Sequence, residues 1–275
     1  PPPCLVSLLP PVPLQQNSAE VRNLIKEADQ GNVEAMYKLG QAFVKGEGTI
    51  RSEAAAFHYF QLAADKGHKE AQYNVSYSYS TGSGVPQSKE RAFYYCKLAA
   101  DQQLIKAICK LGICYLMGDG VKESFSDALP LLQQSAKAGL AEAFFSLGMA
   151  YSDGKGAPPS PQEAFINFKI AADKGHSFAQ STVGVYYENG IGTEKSQEKA
   201  FEFYLLSSKQ NNPNALFALG VACLENRLQG GIPKAFEYLT KAVKFGSQDA
   251  VEKLMQICQM TEDQVINWIG STYGN

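Results

Sequence analysis

The sequence predicts an all-α protein built as a solenoid of helix pairs that repeat every 36 residues. Three observations support this prediction. A Leu or Val recurs at this spacing, an alanine precedes it by four residues each time, and paired glycines follow it. Fixed periods of this kind are typical of repeat proteins, in which each repeat packs only on its neighbours. The 275 residues are therefore compatible with a single array of repeats.

The first helix of each pair, which we call helix A, is marked by Ala and Leu or Val four residues apart. The core positions are Leu39, Val75, Leu111, Leu147, Val183 and Leu219, each preceded by Ala35, Ala71, Ala107, Ala143, Ala179 and Ala215. Residues four apart share one side of a helix, and a small residue after each core position lets a second helix approach closely. Glycine pairs beginning at Gly46, Gly82, Gly118, Gly154 and Gly190 are expected to end helix A.

The second helix of each pair, helix B, is expected to begin at a serine. Ser, with its hydroxyl, is a favoured N-cap residue, and one stands six residues after each glycine pair begins. The five serines are Ser52, Ser88, Ser124, Ser160 and Ser196. Alanine–aromatic or alanine–leucine pairs, from Ala56-Phe57 to Ala200-Phe201, then supply large core side chains. Small residues seven positions later permit close helix contact.

The repeat pattern changes once inside the array and at both ends. One residue is missing between Asn226 and Gly231, and Gly231-Ile232-Pro233 is expected to begin the helix there. Thr261-Glu262-Asp263-Gln264 resembles a capping box that begins a last helix. We predict a Pro-rich N-terminal tail at 1–17, a capping helix at 18–31, the repeats at 32–260 and a C-terminal capping helix at 261–275.

The composition argues against several other classes of protein. A formal net charge of -2 gives no basic excess for nucleic acid, and no apolar run is long enough for a membrane span. The six cysteines do not recur at the repeat spacing, which favours buried thiols over a repeated disulfide. The histidines His58, His68 and His176 form no cluster with metal-ligand spacing. We therefore predict no catalytic residue, no metal and no cofactor, and a protein that is not an enzyme.

The third unit and two other segments carry the motif of a known repeat. The motif residues are Ala107, Leu111, Gly112, Tyr115, Gly118, Gly120 and Val121, and the closing sequence AADKGH stands at 63–68 and 171–176. In these residues the chain resembles the Sel-1-like repeat family of tetratricopeptide-like solenoids, from about Ser18 to Cys258. The resemblance implies a right-handed αα-superhelix of about six repeats with terminal capping helices, whose A helices line the concave face. It also implies a role as an interaction adaptor or scaffold.

The binding residues follow if this tetratricopeptide-like geometry holds. Residues two before and two after each core position, with those five before and five after, then face the concave side. Most of the residues two before and two after are aromatic or apolar. Such a groove would bind a peptide or helix of a partner protein through aromatic anchors. Alternatively, tight curvature packs these side chains on the adjacent helix A. The candidate partner-binding residues are Tyr37, Gln41, Tyr73, Tyr77, Ile113, Phe145, Met149 and Val185.

Two other hypotheses remain open. One is a regulatory interaction module of a larger signalling protein, for example one that contains a kinase domain, and the less favoured one is a hydrolase. The chain begins at Pro1 and not at Met, which favours a part of a longer protein. The tail at 1–17 is interpreted as a linker, or as a second interaction element because its prolines favour polyproline II. We predict a monomer in the cytoplasm with a protein partner, no nucleic acid and no membrane insertion.

Overall fold

The computed structural model describes residues 17–155 and 158–273, and all the regular secondary structure in these ranges is helical. This confirms the all-α prediction. The predicted tail lies outside the described residues except for Asn17. The fifteen helices in the described ranges are α1 Ala19–Asp29, α2 Val33–Lys45, α3 Glu53–Asp65, α4 Lys69–Thr81, α5 Lys89–Asp101, α6 Ile105–Met117, α7 Phe125–Lys137, α8 Ala141–Asp153, α9 Pro161–Asp173, α10 Ser177–Asn189, α11 Gln197–Ser208, α12 Pro213–Leu224, α13 Gly231–Lys244, α14 Gln248–Cys258 and α15 Glu262–Tyr273.

The helices alternate between helix A and helix B of the predicted pairs. The A helices α2, α4, α6, α8, α10 and α12 each pack on the B helix that follows, from α3 to α13. α1 lies in the predicted capping segment 18–31, and α15 lies in the segment 261–275. The chain divides between Gly139 and Leu140 into two compact units. We describe them separately, as unit 1 with α1 to α7 and unit 2 with α8 to α15.

The glycine pairs end helix A as predicted. Gly82 terminates α4 in a left-handed conformation, with φ of 78°, and its amide donates to the carbonyl of Ser78. Gly84 also has a positive φ, 73°, and a Cβ there would lie 2.2 Å from the backbone oxygen of Glu53. The second glycine therefore allows the turn to contact the start of the preceding helix B.

The predicted serine is the N-cap residue of helix B in all five units. In four units its hydroxyl accepts from the amide three residues ahead at 3.2–3.3 Å; these serines are Ser52, Ser88, Ser160 and Ser196. The side-chain cap predicted for Ser124 is wrong, because its hydroxyl donates to Asp127 Oδ2 at 2.5 Å. Each serine amide donates to a helix A carbonyl nine residues earlier, that of Phe43, Tyr79, Tyr115, Tyr151 or Tyr187. The backbone thus fixes the start of helix B even where the hydroxyl does not.

The A and B helices of a pair meet where the small residue of helix A faces a large side chain of helix B. A Cβ at Gly148 would lie 2.6 Å from the buried ring of Phe168. The equivalent pairs are Gly40–Phe60, Gly112–Leu132, Gly184–Tyr204 and Gly220–Leu239. The pair that differs is Ser76 and Cys96, in which helix A has the larger residue and helix B a smaller one. A larger residue on helix A is thus matched by a smaller residue on helix B, and this compensation preserves close packing within each pair.

The shortened repeat in unit 2 is held by a partly buried network of hydrogen bonds and ion pairs. α13 begins at Gly231, as predicted from the sequence. Arg227, in the loop before it, donates through Nη1 to Glu188 and through Nε to Glu225 Oε2 at 2.7 Å. Tyr204 donates to the same Glu188 carboxylate at 2.7 Å, and burial together with this carboxylate raises the pKa of Tyr204. The loop that lacks the glycine pair is therefore anchored to the preceding repeat.

The last helix begins with the predicted capping box. The amide of Thr261 donates to Gln264 Oε1 at 2.9 Å, and the amide of Gln264 donates back to Thr261 Oγ1 at 3.4 Å. Val265 and Ile269 then bury their side chains in the core at the end of unit 2. The sequence therefore sets both the start of α15 and the face that it buries.

Candidate functional site

Each helix A buries one side against helix B and leaves the opposite side accessible. In α2 the buried residues stand at −4, −3, 0, +1 and +4 from the core position Leu39. At about 100° per residue, the opposite side is formed by positions −5, −1, +2 and +6. We call these rows the open A-helix face. In unit 1 they are Glu34, Lys38, Gln41, Lys45, Glu70, Asn74, Tyr77, Thr81, Lys106, Lys110, Ile113 and Met117; in unit 2 they are Glu142, Ser146, Met149, Asp153, Phe178, Thr182, Val185, Asn189, Asn214, Ala218, Val221 and Glu225. Ser146 is the exception, because its side chain is buried.

In unit 1 the five candidate residues are exposed to different degrees. Tyr77 on α4 is 61% exposed. Gln41 and Ile113 are half-buried on the same open face. Tyr37 and Tyr73 stand at position −2, and both are half-buried; Tyr73 packs against the buried cluster of α5 and α6. Tyr77 therefore offers the largest accessible aromatic surface among these five.

Tyr37 is held by contacts with the following repeat. Its ring stacks on His68 with the centroids 4.4 Å apart, and Gln41 Nε2 donates to its hydroxyl at 3.0 Å. His68 is the N-cap residue of α4, and its Nδ1 accepts from the amide of Ala71 at 3.3 Å. Since Nδ1 is an acceptor, Nε2 carries the proton and donates to Glu34 at 3.3 Å. Burial, together with nearby carboxylates, raises the pKa of Tyr37, so its hydroxyl stays protonated.

The same cluster recurs in unit 2 around Phe145. Its ring stacks on His176 with the centroids 4.6 Å apart. His176 Nδ1 accepts from the amide of Ala179 at 3.1 Å, and Nε2 lies 2.9 Å from Glu142. One side of the Phe145 ring is thus used to join two repeats. Both histidines belong to the recurring sequence AADKGH, but their stack on an aromatic ring was not predicted. Its signal in the sequence is AADKGH together with a glutamate three residues before the aromatic residue.

The other two candidates in unit 2 differ in exposure. Met149 on α8 is half-buried against the core of the unit. Val185 on α10 is 41% exposed, and Phe178, two turns earlier on the same face, is also exposed. Seven residues of helix separate these side chains by about 10 Å along the axis. They form an apolar stripe on α10.

The structure corrects the rows that were expected to face a partner. Cys109 and Ser181 at position −2 and Leu116 at position +5 are buried. The row at −2 turns away from the centre of the open face, and its members Tyr37 and Phe145 contact the next repeat. The row at +5 is mixed, because Val44 in it is 46% exposed. The row at +6 was not among the predicted rows but is open, and Met117 is 55% exposed there. Adding about 100° per residue around the helix, starting from the buried core positions, would have identified the row at +6.

The charges on the open A-helix face differ between the units. Unit 1 has four lysines there, at positions 38, 45, 106 and 110, and two glutamates. Both glutamates, Glu34 and Glu70, contact His68, at 3.3 and 3.4 Å. Unit 2 has the acidic residues Glu142, Asp153 and Glu225 and no lysine or arginine in these rows. The two faces therefore suit ligands of different charge.

Other features of the described chain give no competing constellation of side chains. Within residues 17–155 and 158–273, no group of three His, Cys, Asp or Glu side chains could hold a metal ion. None of the helices described combines the length and apolar character needed to cross a membrane. A cleft of about 420 Å³ lies beside α15 and is lined mainly by apolar residues, among them Val243, Val251 and Ile266.

Comparison with known families identifies the repeats. The model of the Sel1 repeat matches residues 33–68, 69–104, 105–140, 141–176, 177–212 and 213–244. The chain therefore belongs to the Sel1 repeat family. This confirms the predicted Sel-1-like repeats and the helical-repeat solenoid fold. Proteins of this family are generally non-catalytic modules for protein–protein interaction.

Solved structures share this fold. One is a protective antigen of uropathogenic Escherichia coli strains that displays an SLR fold, with a TM-score of 0.66 and 26% identity; the match covers 92% of this chain and 56% of that chain. This chain thus spans little more than half the length of that protein. A Sel1 repeat protein from Oxalobacter formigenes has a TM-score of 0.72 and 23% identity; the match covers 82% of this chain and 97% of that chain. An immunity protein from Pseudomonas aeruginosa has a TM-score of 0.50 and 23% identity, with 75% of both chains covered. A search of curated proteins found no match.

Proposed function

We propose that the chain is an adaptor or scaffold that binds a peptide or helix of a partner protein on its open A-helix face. The observation that carries the proposal is the exposed aromatic ring of Tyr77 on a helix whose opposite side is fully used by the core. Aromatic side chains dominate binding energy at protein interfaces. The partner, in this proposal, is a protein, and the module acts in the cytoplasm as a monomer.

Apolar side chains continue this surface within each unit. In unit 1, Ile113 on α6 stands in the same row as Tyr77 on α4, and the exposed Met117 stands one turn further along α6 in the row at +6. In unit 2, Phe178 and Val185 form the stripe on α10. Methionine adapts its shape to different ligands, and an apolar patch rimmed by polar residues marks an interaction site.

The candidate residues then fall into two roles. Tyr77, Ile113, Gln41, Met149 and Val185 stand in open rows and contact the partner directly. The other three, Tyr37, Tyr73 and Phe145, use much of their surface for packing between repeats. Their role is to stabilise the open face.

A matched pair of tyrosines tests the proposal in unit 1. Tyr77 on α4 and Tyr94 on α5 are 61% and 57% exposed, but Tyr94 lies on a B helix. Proteins captured from the native cell by the wild type are compared with those captured by Tyr77→Asp and Tyr94→Asp. We expect Tyr77→Asp to lose the partner and Tyr94→Asp to retain it, with helical circular dichroism and melting unchanged in both.

A second pair applies the same test to unit 2. Val185 on α10 is 41% exposed, and Ile166 on the B helix α9 is 48% exposed. Val185→Asp is expected to weaken capture, and Ile166→Asp is not. If capture survives both Tyr77→Asp and Val185→Asp, the open A-helix face is not the binding site.

A further inference from the structure

The open A-helix face of unit 1 carries cations that lack a carboxylate partner. In the described part of the chain, Lys38, Lys106 and Lys110 make no ion pair. Two exposed lysines elsewhere in the unit do make one, since Lys89 contacts Asp119 at 2.7 Å and Lys97 contacts Asp101 at 3.0 Å, whereas others, such as Lys122, do not. The positive charge on this face is thus available to a ligand.

The acidic residues near these lysines are unevenly placed. Glu34 and Glu70 contact His68, and Glu20 and Glu47 line the small cleft between α1 and α2 beside Lys38. The α2 end of the face therefore has charges of both signs. No acidic residue stands in the open rows of α6, so the positive charge is concentrated there.

The start of α6 adds to this positive potential. The N-cap residue of α2 is Asn32 and that of α4 is His68, and both helices have a glutamate in the first turn. By contrast, α6 has Leu104 at this position, no side-chain cap, no acid in its first turn and a lysine instead. The amide of Ala107 donates to the carbonyl of Leu104 at 2.9 Å, so the amides that favour an anion at this helix start are those of Ile105 and Lys106. Lys106 brings a second positive group to the same place.

The lysines and the apolar side chains of α6 form one stripe. Lys106, Lys110, Ile113 and Met117 follow one another at steps of four, three and four residues. Steps of this size keep side chains on one helix face, and the stripe is about 17 Å long. Its first half is basic and its second half is apolar, with Tyr77 on the preceding helix A.

We infer that the open A-helix face of unit 1 binds an acidic segment of another protein that also carries bulky apolar side chains. The carboxylates of this segment contact Lys106, Lys110 and the start of α6, and its apolar side chains pack on Tyr77, Ile113 and Met117. The inference rests on the proposed function and adds the chemistry of the partner. Charge complementarity between such surfaces sets both selectivity and association rate.

A random-peptide selection tests this chemistry without knowledge of the partner. A phage library of random 16-residue peptides is selected on the whole chain. We expect enrichment of sequences that combine Asp or Glu with Leu, Phe or Trp. Enrichment of basic sequences, or of apolar sequences without acids, overturns the inference.

Charge variants then locate the binding of an enriched peptide by fluorescence anisotropy. K106E/K110E is expected to weaken binding at least about tenfold, and raised salt is expected to weaken the wild-type complex. The matched control is K122E/K137E, which makes the same change of charge in unit 1 outside the open face. It is expected to stay within about twofold of the wild type. Equal effects of the two variants overturn the inference.

Other occupants of the face give distinct results. If light scattering shows a wild-type dimer that K106E/K110E dissolves, the occupant is a second copy of the chain. If removal of residues 1–16 strengthens peptide binding about tenfold, the occupant is that segment. Either result overturns the inference.

The outcome also separates this inference from the proposed function. If Tyr77→Asp abolishes peptide binding and K106E/K110E does not alter it, the open face binds a partner but not through its lysines. If neither variant changes binding, this inference fails, and the proposed function is decided by capture with Tyr77→Asp and Val185→Asp.

Discussion

The open A-helix faces of unit 1 and unit 2 stand on equivalent positions of equivalent helices but differ in chemistry. Unit 1 combines unpaired lysines with Tyr77, Ile113 and Met117, whereas unit 2 combines acids with Phe178 and Val185. The core positions below them hardly differ, since each is Leu or Val and is buried. The comparison teaches that the residues needed for the repeat and those available to a ligand occupy separate rows of helix A.

The contact between repeats is the same in both units. Tyr37 stacks on His68 and Phe145 stacks on His176, and each histidine caps the next helix A and contacts a glutamate. Two neighbours differ: Glu70 beside His68 is replaced by the exposed Phe178 beside His176, and Gln41, which donates to the Tyr37 hydroxyl, is replaced by Met149. Both variable neighbours lie on the open face.

The largest expected effect is the loss of a buried helix B side chain in either unit. Phe168→Ala in unit 2 is expected to lower the free energy of unfolding by about 3–5 kcal/mol, and Leu132→Ala in unit 1 by about 2–5 kcal/mol. Both side chains pack against a helix A glycine. Urea unfolding followed by circular dichroism measures the loss.

Hydrogen exchange locates these effects. Phe168→Ala is expected to raise exchange most in α8 and α9, and Leu132→Ala most in α6 and α7, because each repeat packs mainly on its neighbours. A loss below about 1 kcal/mol in either variant would contradict the tight packing described for these pairs.

A smaller effect is expected when the Ser–Cys pair of unit 1 is transplanted to unit 2. Gly148→Ser alone forces its Cβ against Phe168 and is expected to cost about 1–3 kcal/mol. The double variant G148S/F168C reproduces the pair Ser76 and Cys96, in which the serine hydroxyl donates to the carbonyl of Ala92 at 2.7 Å.

The double-mutant cycle is the measurement for this pair. We expect the double variant to be more stable than the sum of the two single changes, by about 0.5–3 kcal/mol. The cycle uses urea unfolding of all four proteins. If the free-energy changes of the two single variants simply add up, compensation of volume between helix A and helix B does not apply to both units.

The smallest effect is expected at the two histidine caps. His68→Ala and His176→Ala each remove an N-cap acceptor and a ring stack, and each is expected to cost about 0.5–2 kcal/mol. His68→Asn and His176→Asn are expected to recover part of this loss, because Asn32 and Asn212 already cap α2 and α12. Thermal melts of the four variants provide the test. No recovery by asparagine would mean that the stack, and not the cap, stabilises the junction.

Much of the fold was predictable because local chemistry sets it. The glycine turns, the serine N-caps and the capping box at Thr261 depend on residues only a few positions apart. Ser124 was mispredicted because a nearby side chain, Asp127, competes for its hydroxyl. The ring of Phe168 and its equivalents were missed, since only the packed pair shows which helix B residue faces the glycine of helix A.

The candidate site was less predictable. Periodicity gives the angle of each residue around helix A, but it does not show which flank the next repeat covers. Tyr37 and Phe145 were therefore expected in a groove, and the structure places one side of each ring against a histidine about 31 residues later. Tyr77, Ile113 and Val185 lie in open rows because position +2 is nearly opposite the buried arc.

Site-specific photocrosslinking tests the central claim most directly. A benzoyl-phenylalanine is placed at Tyr77 in one protein and at Tyr94 in another, and each is irradiated in extract of the native cell. The account predicts a discrete protein crosslinked from position 77 and none from position 94. The same protein crosslinked from position 94, with none from position 77, would contradict binding on the open A-helix face.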